Sequence, residues 1–198
     1  MTFAEPITLT GKHAELQPLA AAHSADLQDA ARDGELWRLW YTSVVPPERM
    51  GAEIERRLGL QEKESMLPFA VIDPVTRRAV GMTTYMNIDA KHRRVEIGST
   101  WYAKRVQRTA LNTECKLMLL THAFEQLRCI AVVFATHWLN HQSRTAIERL
   151  GAKQDGVMRN HQIASDGSYR DTVVFSIIES EWPAVKRHLQ FRLDRSGV

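Results

Sequence analysis

The chain has 198 residues, 44% of them hydrophobic and 25% charged, enough apolar material for one domain to bury a core without disulfide or metal staples. No apolar run approaches the roughly 20 residues that span a bilayer. The opening MTFAEPITLTGKHAEL has neither a basic n-region nor an apolar h-region, so neither a signal peptide nor a membrane partner is expected, and a cytoplasmic chain is. The net charge of +3 is spread over scattered cations, which suits a small anionic ligand better than a nucleic-acid backbone. Residues 7–19 alternate loosely and read as an opening strand bent near Gly11–Lys12. His23–Ser24 starts a helical pattern that ends near Gly34, and the short aromatic stretch ELWRLWY follows it. Pro46–Pro47 suits a first helical turn, and a helix runs from Glu48 to about Glu64 with Met50, Ile54 and Leu58 facing inward.

Three strands come next, at 68–72, 79–88 and 94–102, joined by connections short enough for an antiparallel meander. The third leads into a turn with three cations, Lys104, Arg105 and Arg108, and then into a helix predicted to open at Asn112 or Thr113. A strand, a basic turn and a helix N-terminus make an anion site, because unpaired backbone N–H groups and the helix dipole point the same way. The apolar run 131–136 reads as a strand buried on both faces. A helix from Asn140 to Leu150 is closed by Gly151, strands follow at 152–159 and 172–178 around the Asp166–Gly167 turn, and a last helix covers about 181–193. Cys115 and Cys129 lie on and just after a core helix without metal-ligand spacing, as buried reduced thiols do. His137, His141 and His161 match no metal motif either, so no metal is expected.

Four segments carry a resemblance: VEIGSTWY at 95–102, QRTALNTECKLMLLTHAFE at 107–125, WLNHQSRTAIERLGAKQDGVMR at 138–159, and DGSYRDTVVFSIIESEW at 166–182. In this order they resemble the GCN5-related N-acetyltransferase (GNAT) superfamily, and within it the ribosomal-protein N-acetyltransferase, RimJ/RimL-like, subgroup. The resemblance implies an α+β fold, with a mixed, mostly antiparallel sheet of about seven strands, helices on both faces and a splayed central cleft. Residues 1–198 would form a single domain, with a core of about 7–180 and the C-terminal helix after it. The family's phosphate loop is usually Gln/Arg-x-x-Gly-x-Gly/Ala, whereas here Ala110 and Asn112 stand at the glycine-type positions. Alanine at such a position would be disfavoured by about 1 kcal/mol if its φ were positive. Arg105 and Arg108 would offset a poorer cradle through charge-assisted hydrogen bonds.

By the same resemblance the co-substrate is acetyl-CoA, and the activity is acetyl transfer to a primary amine, either a protein N-terminus or a small molecule, by direct attack in a ternary complex. Main-chain groups of Thr100, Trp101 and Tyr102 would meet the pantetheine. Gln107, Arg108, Thr109, Ala110, Leu111, Asn112 and Thr113 would hold the pyrophosphate, and Asn140 and Ser143 would reach the pantetheine arm. The chemistry needs a neutral amine, donors for the oxyanion and a proton for the departing thiolate. Glu96 is the candidate base, because period-2 alternation puts it on the face of Gly98 and Thr100; its alternative is an ordinary strand carboxylate paired with Arg93 or Arg94. The family's helix tyrosine is replaced by Ile147, leaving Ser143 as the candidate proton donor, although a serine capping its own helix is the competing reading. Trp37, Trp40, Tyr41 and Tyr85 are the candidate acceptor-pocket residues, with core packing as their alternative. A monomer or homodimer is expected. A non-catalytic acyl-CoA-binding module on the same fold is the alternative function.

Overall fold

The computed structural model describes residues 3–164 and 166–195. Five helices and eight strands occur among them in the order β1 (Leu9–Thr10), β2 (Glu15–Pro18), α1 (Ser24–Arg32), α2 (Met50–Glu62), β3 (Met66–Ile72), β4 (Ala79–Asp89), β5 (Arg94–Tyr102), α3 (Ala110–Thr121), β6 (Ala131–His137), α4 (His141–Glu148), β7 (Lys153–Ile163), β8 (Tyr169–Ile178) and α5 (Trp182–Arg195). The strands form one sheet in the order β1-β2-β3-β4-β5-β6-β8-β7. Every neighbouring pair is antiparallel except β5 and β6. The α+β architecture, the mostly antiparallel sheet and the helices on both of its faces agree with the expectation from sequence.

The opening strand is two strands, which makes eight rather than about seven. The bend at Gly11–Lys12 is a tight turn between β1 and β2, fixed from a distance: the Glu114 carboxylate on α3 accepts N–H bonds from Lys12, His13 and Ala14. A Cβ on Gly11 would collide with that carboxylate, so the bare glycine admits the close approach of Glu114.

The core lies in two layers. On one face α3, α4 and α5 cover Leu16, Phe69, Val95, Ile97, Val132, Phe134 and Phe175. On the other, α1 and α2 cover Ala70, Ile72, Met82 and Trp101 through Leu27, Ala30, Met50 and Ile54. Each large side chain buried this way stabilises the fold by about 1.5–3 kcal/mol. Helix α2 also turns Arg57 inward, beside the half-buried Leu58: the guanidinium is ion-paired with Glu53 at 2.7 Å and donates to Thr84 Oγ1 on β4 at 2.8 Å. Such a pair is tolerated in a core because both ions are hydrogen-bonded.

Strand β6 is not covered on both faces as its apolar run implied. Val133 and Ala135 are half-buried while Val132 and Phe134 are buried, because the α1–α2 layer packs on β3, β4 and β5 and leaves that face of β6 open. Helix α3 starts earlier and stops earlier than the 112–127 pattern, and its last turn widens into a π-turn at His122–Gln126. Gly151, with φ +97°, follows the end of α4, the left-handed position that favours glycine.

Candidate active site

Strands β5 and β6 run side by side for three residue pairs only, Arg94↔Ala131, Val95↔Val132 and Glu96↔Val133. Beyond Glu96 they part. On its other edge β5 keeps β4, but Gly98 faces Thr84 and Trp101 faces Met82, so Ser99 and Thr100 together oppose Thr83. That extra residue is a β-bulge, with Ser99 at φ +47°, and bulges bend the strand that carries them. Strand β6 stays straight because β8 pairs with it along its whole length, from Ala131↔Ile178 to His137↔Thr172. The result is a wedge, one wall of which is the unpaired β6-side edge of β5 from Ile97 to Tyr102. Exposed main-chain N–H and C=O groups there are obligatory hydrogen-bonding partners for whatever enters. Trp101 and Tyr102 have buried side chains, so only their backbones can serve, and the Tyr102 carbonyl already accepts a bond from Gln107 Nε2 at 2.9 Å.

The chain leaves β5 through a 3-10 turn at Lys104–Val106 and enters α3 at Ala110, two residues before the predicted start. Thr109 is the N-cap: its hydroxyl accepts from the Leu111 N–H at 3.3 Å and donates to the Val106 carbonyl at 2.8 Å. The left-handed residue of the loop is Arg108, at φ +61°, and neither Ala110 nor Asn112 has a positive φ. The substitutions at the glycine-type positions therefore store no backbone strain; both residues sit in the first helical turn, where the orphan N–H groups are. Arg105 is not offered to a ligand, because Asp33 holds it in an ion pair at 3.0 Å and also takes its backbone N–H. Arg108 and Thr109 are exposed.

A cleft of about 260 Å³ beside Glu96 is lined by Asn87, Asp89, Arg94, Val95 and Val133. A second, of about 210 Å³, lies at the start of α3 against Lys12, His13, Val106 and Thr109. Lys12 and His13 lie almost a hundred residues from α3 in sequence, and the Glu114 carboxylate holds them there.

Across the wedge, Asn140 caps α4, its Oδ1 accepting from the Ser143 N–H at 3.0 Å. The Asn140 side-chain oxygen is thus taken up by its own helix, leaving the NH2 group to face a ligand. Ser143 is half-buried in the same first turn, while Ile147 points into the core at 8% exposure.

Glu96 pairs with neither Arg93 nor Arg94. Asn87 Nδ2 donates to its Oε2 at 2.8 Å. Burial pushes the Glu96 carboxyl above its ordinary value of 4.5, against the opposing pull of the Asn87 hydrogen bond and the charges of Arg170 and His161. Trp40 and Tyr41 meet His137 at the end of β6, with ring centroids 5.1 and 6.4 Å from the imidazole. Trp37 lies just before them, half-buried, with the Arg38 guanidinium 4.9 Å over its ring. Tyr85 must be withdrawn from the acceptor side. It is fully buried, donates its hydroxyl to the Leu119 carbonyl and packs edge-on against Phe69. Its neighbour Thr84 meets Arg57 on the α2 side, so Tyr85 points to α3, away from the Glu96 face. Arg170 and His137 share the open face with Glu96, an arrangement that needs β8 beside β6 and leaves no mark in the spacing of the residues.

Both cysteines are buried, and burial raises their thiols, Cys115 to about 12 and Cys129 to about 11, so neither is a nucleophile at neutral pH.

An acetyltransferase (GNAT) domain model matches residues 13–153. A Bacillus subtilis protein named "Putative ribosomal N-acetyltransferase YdaF" is 32% identical over 106 residues, 54% of this chain and 57% of that one, so the match spans little more than half of the relative. Among solved structures, a GCN5-related N-acetyltransferase from Brucella melitensis superposes with TM-score 0.85 at 28% identity, covering 96% of this chain and 86% of the other. Mycobacterium smegmatis RimJ, solved in complex with CoA-disulfide, shares the fold with TM-score 0.79 at 19% identity, over 94% of this chain and 95% of the other. The wedge between β5 and β6, the capped start of α3 and the family match over most of the chain lead to one conclusion: the chain belongs to the GNAT acetyltransferase family.

Proposed function

We propose that this chain transfers the acetyl group of acetyl-CoA to a primary amine, on a protein N-terminus or a small molecule, by direct attack in a ternary complex. The observation that carries the reading is the parting of β5 from β6 after Glu96↔Val133, which leaves an unpaired strand edge leading to the N-terminus of α3. A pantetheine arm has amide groups that can complete that edge as a third strand would. Its pyrophosphate then falls on the first turn of α3, with Arg108 at hand. RimJ, a chain of the same fold solved in complex with CoA-disulfide, supports coenzyme A as the kind of ligand.

The amine would come from the opposite, open face, past Trp40 and Tyr41, and reach the thioester beside Glu96. In this arrangement Glu96 takes the amine proton, directly or through water. Backbone N–H groups on the β5 edge hold the developing oxyanion, and the Ser143 hydroxyl, a turn beyond the cap, relays a proton to the departing thiolate. The acetyl–sulfur bond breaks as the acetyl–nitrogen bond forms, and coenzyme A leaves as the thiol.

The test is acetyl-CoA consumption by the purified chain against a panel of amine acceptors, with acetyl-CoA affinity measured in parallel by calorimetry. Turnover with at least one amine is expected, and Arg108→Glu should weaken acetyl-CoA binding about tenfold or more by setting a like charge against the phosphates. Tight binding without turnover on any amine would favour a non-catalytic acyl-CoA-binding module. An unchanged dissociation constant in Arg108→Glu would remove Arg108 from the phosphate site.

A further inference from the structure

Helix α3 carries two buried charges that are treated in opposite ways. Glu114 has three backbone N–H donors from the β1–β2 turn. Lys116, 6% exposed, has no carboxylate partner. Its Nζ donates to Thr100 Oγ1 at 2.8 Å and to Thr83 Oγ1 at 3.3 Å, and those two hydroxyls are themselves 2.8 Å apart. The three groups form a closed triangle between β4, β5 and α3.

Its position is informative. Ser99 and Thr100 are the bulged pair and Thr83 is the residue they jointly oppose, so the triangle ties the two strands together where β5 turns away from β6. Lys116 is six residues into α3, so its Cα lies roughly 9 Å along the axis from the helix start at Ala110. An ammonium buried against two hydroxyls lacks the compensation that such ions normally have. Burial pushes this amine down to about 8. The titratable groups around it give no counter-charge. The Cys115 thiol on its own helix and the Tyr102 phenol from β5 are both pushed up by burial and stay neutral, and the Glu114 carboxylate faces the β1–β2 turn.

We propose that Lys116 is a positioning residue for acetyl-CoA, clamping Thr83 to Thr100 so that the β5 edge stays open, and setting beneath the wedge a cation whose counter-charge arrives with the coenzyme's phosphates. The proposal rests on the reading that β5 and α3 hold acetyl-CoA. It has a consequence that simple packing lacks. Phosphates near Lys116 favour its charged form, so binding must draw a proton onto the amine, and binding must weaken as pH rises and that proton is lost.

The experiment is calorimetric titration of acetyl-CoA, without acceptor, into the wild-type chain, Lys116→Met and Thr100→Val at pH 7, 8 and 9, in buffers of different ionisation enthalpy. For the wild type we expect several-fold weaker binding at pH 9 than at pH 7, and uptake of up to about half a proton at pH 8, where the free amine is half charged. Lys116→Met should remain folded, bind about tenfold more weakly at pH 7, and lose both the pH dependence and the proton uptake. A folded Lys116→Met that kept the wild-type affinity and proton uptake would overturn the proposal. If the methionine variant does not fold, Thr100→Val decides: it keeps the lysine and takes away its nearer acceptor, so binding weaker by about threefold is expected and wild-type binding would overturn the proposal. A wild-type chain that binds no acetyl-CoA at any pH would instead defeat the functional reading itself, and this one with it.

Discussion

Glu96 and Tyr85 show how far single residues can be read. Alternation along β5 puts Glu96 on the face of Gly98 and Thr100, but the bulge at Ser99 turns the Thr100 hydroxyl to Lys116 on the α3 face, so only Gly98 stays beside Glu96; the structure adds a hydrogen bond from Asn87 and partial burial at the narrow end of the wedge. Tyr85 lies on a strand with seven consecutive buried residues from Ala79, so its pattern is the same whichever face it takes, and the α3 face emerges only with the β4–β5 register. Lys116 left no trace either, since a lysine in a helix ordinarily reads as solvated. If Glu96 accepts the amine proton it must be ionised, and burial raises its pKa. The acid limb of kcat/KM should therefore lie above the ordinary glutamate value of 4.5, with activity rising as pH increases through it. Glu96→Gln should lower kcat by about 10²–10⁴-fold and abolish that limb, with little change in acetyl-CoA binding. A Glu96→Gln enzyme that kept both the rate and the limb would place the proton with a water chain instead.

At the scale of elements, the helices follow from periodicity, because each has one buried face, and β3 and β4 from apolar runs that are buried on both faces. The misjudged elements are those whose shape is set by a partner remote in sequence. Residues 7–19 form a broken strand because Glu114, a hundred residues on, takes three of their amides. The apolar run of β6 reads as buried on both sides, yet α1 and α2 reach only as far as β5. Helix α3 starts two residues before the expected position because Ala110 and Leu111 carry no capping signal of their own, whereas the Thr109 hydroxyl, one residue upstream, does the capping. The Glu114 contact also yields a test. Glu114→Gln replaces an anionic acceptor with a group that turns an NH2 toward backbone donors, and at least one N–H of the turn loses its partner. A loss of about 1–3 kcal/mol is expected, read as a lower urea midpoint at unchanged m-value. Because Lys12 and His13 ride on the same turn, amide exchange in residues 11–14 should accelerate more than exchange in β3. Equal protection in both segments would mean that the turn holds its shape without the carboxylate.

For the whole molecule, the wedge divides the sheet. On one side β1 to β5 carry α1 and α2; on the other β6, β8 and β7 form a block that meets β5 through three register pairs. Helices α3 and α5 pack across the join on one face, and on the other Trp40 and Tyr41 reach over to His137 at the end of β6. A ligand lodged there would supply bonds to both halves, from the β5 edge on one side and from Asn140 at the start of α4 on the other. Binding to the native state alone stabilises by about 2.7 kcal/mol at a hundred times the dissociation constant. For a chain of this size 1 kcal/mol moves Tm by about 2–4 °C, so saturating acetyl-CoA should raise Tm by roughly 5–10 °C. A ligand that bridges the halves should keep the transition single or sharpen it, and the strongest new amide protection should appear on β5 between Ile97 and Tyr102, which β6 does not pair. Coenzyme A should act nearly as well, since the acetyl group adds little contact to the strand edge, while adenosine diphosphate, which carries phosphates but no pantetheine, should give only part of the shift and no protection of β5. A full shift with adenosine diphosphate would mean that the wedge itself is not where the coenzyme's arm binds.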